Sequence, residues 1–126
     1  MEFKFGTTIN CIDGRTQKPV SEWIKENFQV DVVDTVTEPG CDKVMPENNL
    51  EKIEQLKSKV LISINAHKSS VVVIAGHHDC AGNPVSKEKH IEQIKTSIEV
   101  IKSWNLPIKV AGLWINDQWK AEQVSN

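Results

Sequence analysis

Arginine is almost missing from this chain. Arg15 is the sole arginine, and every other residue of the 15 in the Lys+Arg set is lysine. A guanidinium is a rigid two-pronged donor that lysine cannot replace at a bidentate contact. Arg15 is therefore either a remnant of a lysine-biased composition or a fork placed for a task. Excess charge is missing too. Seventeen acidic residues against 15 basic ones leave a net charge of -2. That balance excludes the basic footprint expected of a nucleic-acid binder and an anionic membrane surface as main partner. No apolar run approaches the roughly 20 residues a membrane helix needs. The opening residues, MEFKFGTTIN, hold no continuous apolar stretch of a signal peptide, so a cytoplasmic protein is expected. Three cysteines, an odd number, do not make a disulfide framework. Cys11, Cys41 and Cys80 read as reduced thiols available to metal. There is no C-x-x-C for redox work, and no G-x-G-x-x-G or P-loop to hold a nucleotide. Repeats, low-complexity segments and long linkers are absent as well. One domain over residues 1–126 is expected, long enough to bury a sizeable core.

What is present is an alternation of strand and helix patterns. Phe3 to Asn10 reads as a strand, rich in β-branched and aromatic residues. Pro19 suits an early position of a helix running to about Phe28, with Val20, Trp23, Ile24 and Phe28 on one face. Val30 to Val36 is a second strand, and Glu38-Pro39-Gly40 breaks the chain after it. From Asn49 to His67 apolar residues recur at helical spacing. Val71 to Ile74 is a continuous apolar run, as in a parallel strand buried on both faces. A helix follows from about Ser86, its apolar face marked by Ile91, Ile94, Ile98, Ile101 and Trp104. Ile108 to Ile115 is a fourth strand, and Gln118 to Val124 reads as a short fifth at an edge. The expected fold is α/β with three layers: a mostly parallel sheet of four to five strands, order 2-1-3-4, an antiparallel edge strand, and helices on both faces. That order sets the first and third strands side by side at a topological switch point, where open α/β sheets bind ligands beyond the carboxyl ends of the strands.

Two chemically loaded segments fall at those ends. Cys11-Ile12-Asp13-Gly14-Arg15 follows the first strand, and Gly76-His77-His78-Asp79-Cys80 follows the third. Neighbouring strands would bring Cys11, His77 and Cys80 to one rim. Two thiolates and an imidazole suit Zn2+, and three protein ligands leave the fourth tetrahedral position open, as in catalytic sites. Asp13 and Arg15 project from the same tight loop and can form a bidentate pair, holding Asp13 ionised beside the metal. Cys41 follows the second strand and is a further thiol for that rim; as a fourth ligand it would close the site as structural Cys3His zinc. Water, Asp13 and Cys41 all remain open as fourth ligand. His78, next to His77, is a candidate proton shuttle. His67 and His90 fall on helices and are expected at the surface.

CIDGR and GHHDC resemble the two signature segments of the β-class carbonic anhydrases, C-x-D-x-R and H-x-x-C. The lead-in VVVIAGHHDC and the later AGLWIND are similar to the family's strands, and the resemblance spans roughly residues 4–120. It implies that Cys11, His77 and Cys80 ligate zinc and that Asp13 and Arg15 form a dyad gating and orienting the fourth ligand. It also implies reversible hydration of carbon dioxide to bicarbonate by a zinc-bound hydroxide, and a homodimer paired through its sheets. Some features differ from the family pattern. A single helix joins the second motif to the fourth strand, where family members usually have several. Thr37-Glu38-Pro39-Gly40 stands where R-N-A-G is usual. Two other functions use the same residues. One is hydrolysis of a related heterocumulene, carbon disulfide or carbonyl sulfide. The other is a non-catalytic zinc module with a closed four-ligand site.

Overall fold

The third strand of the chain lies in the middle of the sheet. In the computed structural model, which describes residues 2–125, the strands are β1 (Phe5–Asn10), β2 (Val32–Thr37), β3 (Val71–His77), β4 (Lys109–Ile115) and β5 (Ala121–Val124). Their order is β2-β1-β3-β4-β5. The first three pairings, β2 with β1, β1 with β3 and β3 with β4, are parallel, and β5 closes the edge antiparallel to β4. Every residue of β3 is buried. Its alternate side chains serve two cores: Val71, Val73 and Ala75 on one face, Val72 and Ile74 on the other. This two-sided burial explains the unbroken apolar run, because a parallel strand covered by helices on both faces has no polar side.

Helix α1 (Gly14–Phe28) covers one face, packing Val20 and Ile24 against Val71, Val73 and Leu113. Helices α2 (Leu50–His67) and α3 (Lys87–Ser103) cover the other, with Leu56, Val60, Ile94 and Ile98 in its core. Asn49 and Ser86 cap α2 and α3, accepting from the Lys52 and Lys89 amides.

Two expectations need correction. Helix α1 does not begin near Pro19; it begins at Gly14, and Pro19 lies inside it. The Asp13 side chain accepts from the Arg15 amide and so starts the helix earlier. His90 is not at the surface but 1% exposed. The buried stripe of α3 runs through His90, Gln93, Ile94, Ser97, Ile98 and Ile101, so the helix presents a partly polar face to the sheet. A short 3-10 turn at Cys41–Lys43, unforeseen in the sequence, supplies that face with a partner, Asp42. Among the described residues no helix is long and apolar enough to cross a membrane.

Candidate metal centre

The switch point between β1 and β3 brings the two sequence segments together. Cys11 is the first residue beyond β1, His77 is the last of β3, and Cys80 lies in the turn that follows. All three are buried, and their ligand atoms lie within 4.8 Å of one another. The Cys11 and Cys80 sulfurs are 3.9 Å apart. A tetrahedral zinc with sulfur at about 2.3 Å requires a sulfur–sulfur edge of about 3.8 Å. His77 completes the fit. Its Nδ1 lies 2.7 Å from the His78 carbonyl oxygen, which can only accept, so Nδ1 carries the proton. Nε2 is then a bare lone pair, and it is buried with no hydrogen-bond partner. A metal-ligating histidine is commonly oriented in this way, by a carbonyl at its far nitrogen.

The surroundings favour negative charge on sulfur. The Gly40 and Asp13 amides approach the Cys11 sulfur, and the Gly82 and Asn83 amides approach Cys80. In the metal-free chain the two thiols lie within hydrogen-bond contact of each other. The hydrogen bond from Cys80, against the opposing effect of burial, lowers Cys11 to about 3. The same contact pushes Cys80 up. Burial pulls His77 down, but the adjacent Cys11 sulfur and the His78 carbonyl outweigh it, and the net direction is up. Gly40 has a reason to be glycine: its φ is +59°, and a Cβ there would meet the Gly82 carbonyl oxygen at 2.5 Å. That close approach sets both amide-bearing loops against the sulfurs.

Asp13 and Arg15 form the expected fork. Arg15 Nε donates to Asp13 Oδ1 at 3.1 Å and Nη2 donates to Oδ2 at 2.7 Å. The guanidinium holds the Asp13 carboxyl down at about 2, and Asp13 in turn raises Arg15. Gln17 ties the loop down, donating to the Cys11 and Asp13 carbonyls while accepting from Asn10. Cys41 does not join the cluster. Its thiol is buried and donates to the Ala75 carbonyl at 3.1 Å, and burial raises its pKa. His78 is exposed, edge-on to Trp119 with ring centroids 6.2 Å apart.

The family model described as "Putative carbonic anhydrase" matches residues 1–125. The chain belongs to that family. Two solved carbonic anhydrases share the fold of this family member. That from Glaciozyma antarctica aligns over 94% of this chain and 81% of its own, at 14% identity and a TM-score of 0.60. That from Streptococcus mutans aligns over the same shares, at 15% identity and a TM-score of 0.51. No curated protein matches in sequence.

Some parts of this candidate site were not singled out from the sequence. Asp79 sits inside GHHDC between two expected ligands, and its position was the available signal. Trp119 carries no local signal, because only the β4–β5 turn brings it to the site. The amides of Gly40 and Gly82 are invisible in side-chain patterns.

Proposed function

We propose that this chain binds Zn2+ through Cys11, His77 and Cys80 and reversibly hydrates carbon dioxide to bicarbonate. The observation that carries this reading is the buried triangle of two sulfurs 3.9 Å apart and an unpartnered His77 Nε2, with an ionised carboxylate in the adjoining loop. Zinc held there would supply hydroxide near neutral pH by lowering the pKa of a water to about 7. The protein's residues do the rest. The His78 carbonyl fixes the His77 tautomer. Four backbone amides draw charge from the thiolates, which offsets the electron richness of a two-sulfur donor set. Asp13 can only accept a hydrogen bond, so it orients the O–H of the attacking group, while Arg15 keeps its carboxylate in place. His78 is exposed beside the ligand and passes the released proton to solvent. The same reading implies a homodimer, checked by sedimentation at working concentration.

Stopped-flow carbon dioxide hydration, at pH 7 and at alkaline pH, tests the proposal on protein carrying one zinc per chain. Zinc-dependent turnover at pH 7 is expected. Turnover only at alkaline pH would mean that Asp13 closes the site at neutral pH. No turnover at either pH would reject carbon dioxide as the substrate and leave heterocumulene hydrolysis or a closed zinc module.

A further inference from the structure

The Arg15 guanidinium is held on more sides than its pairing with Asp13 requires. Nη1 lies 3.3 Å from Asp79 Oδ2, and Nη2 lies 3.3 Å from the Asp79 carbonyl oxygen. Its central carbon sits 4.2 Å from the centroid of the Trp119 ring. The two extra partners come from separate places in the chain. Asp79 lies between His77 and Cys80, and Trp119 lies in the turn between β4 and β5. Both have positive φ without being glycine, +55° at Asp79 and +59° at Trp119. Such backbone is uncommon for a bulky residue and persists where the surroundings fix it. The turn is built to do so. Asn116 Oδ1 accepts from the amides of Gln118 and Lys120, and the Trp119 amide returns to the Asn116 carbonyl at 2.9 Å. β4 runs alongside β3 with Ile115 opposite His77, so the turn after β4 folds back over the site. The Trp119 ring also lies 6.3 Å from the His77 ring.

We propose that Trp119 and Asp79 are positioning residues that clamp the Arg15 guanidinium in the plane where it meets Asp13 as a fork. Arg15 is 48% exposed in its side chain, and a long side chain at that exposure samples many rotamers unless held. The tryptophan face removes that freedom on one side through a cation–π contact. The Asp79 carboxylate and carbonyl remove it at the far nitrogens. Asp79 also offers Arg15 a second acceptor, so the guanidinium stays at the site when the Asp13 carboxylate moves. The catalytic meaning of the clamp rests on the function proposed above; its geometry does not.

Because Arg15 is the only arginine, its Nε–H signal in a proton–nitrogen NMR spectrum is unique. In the wild-type zinc-loaded chain that signal should be shifted by the tryptophan ring current and should exchange slowly with water. In Trp119→Leu the ring-current shift should vanish and exchange should quicken about fivefold. Trp119→Phe should keep about half of the shift, since its ring is smaller but retains a π face. Asp79→Asn, which tolerates the positive φ, should keep the shift and quicken exchange. Zinc content should stay at one per chain in all three, and turnover should fall in Trp119→Leu and recover in Trp119→Phe. An Arg15 signal unchanged in Trp119→Leu overturns the clamp. Should that variant not fold, an unchanged shift in Trp119→Phe does the same. Wild-type protein without turnover would sink the proposed function, while the NMR comparison would still decide the clamp.

Discussion

Asp42 Oδ2 and His90 Nδ1 meet at 2.5 Å, with both side chains 1% exposed. The other carboxylate oxygen accepts from Asn83 Nδ2 at 2.9 Å, and the same nitrogen donates to Gln93 Oε1 at 2.7 Å. This buried network joins the turn after β2, the loop holding Cys80, and α3, directly beneath the end of β3. His90→Phe would leave the Asp42 carboxylate buried with one partner fewer. Breaking a buried pair from one side costs about 3–5 kcal/mol, and a loss of that size in urea unfolding is the expected outcome. A change within experimental error would show that the network contributes nothing to folding.

Gly76 stands where that network touches the candidate metal centre. A Cβ at this position would overlap the Asp42 carboxylate and crowd Ile94. Gly76→Ala therefore has to displace either Asp42 or the strand end that carries His77. Overpacking of this kind costs about 1–3 kcal/mol, and disturbing the support of a ligand costs about tenfold or more in metal affinity. Both effects are expected, the second read by competition with a chelator of known zinc affinity.

The clustering of Cys11, His77 and Cys80 was readable because it depends on local patterns. Cys11 and His77 lie at the ends of β1 and β3, and strand ends show in apolar runs. The order that sets β1 beside β3 follows from helix alternation and crossover handedness. The start of α1 was misread because Pro19 is a strong helix-start signal, and it outweighed the Asp13 cap six residues earlier. The burial of His90 was readable in principle. It lies four residues before Ile94 and eight before Ile98, on the same face, but a histidine does not announce itself as core. Asp42 and Trp119 were out of reach, since their partners, His90 and Arg15, are distant in sequence and meet only through the finished fold.

Cys80→Ser should strip most of the zinc. A serine hydroxyl is not ionised at neutral pH and is a poor zinc donor beside a thiolate and an imidazole. Metal content after dialysis, by atomic emission, is the measurement. Full zinc at unchanged affinity would remove Cys80 from the ligand set.

Arg15→Lys should leave zinc in place and impair turnover. Lysine keeps the positive charge but cannot donate in parallel to both oxygens of Asp13, nor lie flat on Trp119. Zinc stoichiometry and carbon dioxide hydration, measured on the same sample, separate the two effects. Unchanged turnover would make the fork structural only.

The Asp13 carboxyl is held down from 3.8 to about 2, mainly by the Arg15 hydrogen bond. A carboxylate whose pKa is lower folded than unfolded contributes stability above its unfolded value, and loses it as the pH falls through the folded one. Asp13→Asn isolates that charge, because asparagine caps a helix about as well as aspartate. On metal-free protein the wild type should therefore be the more stable of the two above about pH 4. The gap should close between 3.8 and about 2, and no gap from this source should remain below that. Arg15 is half exposed, so the gap should be modest and should shrink with added salt. Denaturant unfolding of both proteins across that range reads it directly. A gap that persists unchanged into acid would not come from the ionised carboxylate, and the pairing of Asp13 with Arg15 would then leave folding unaffected.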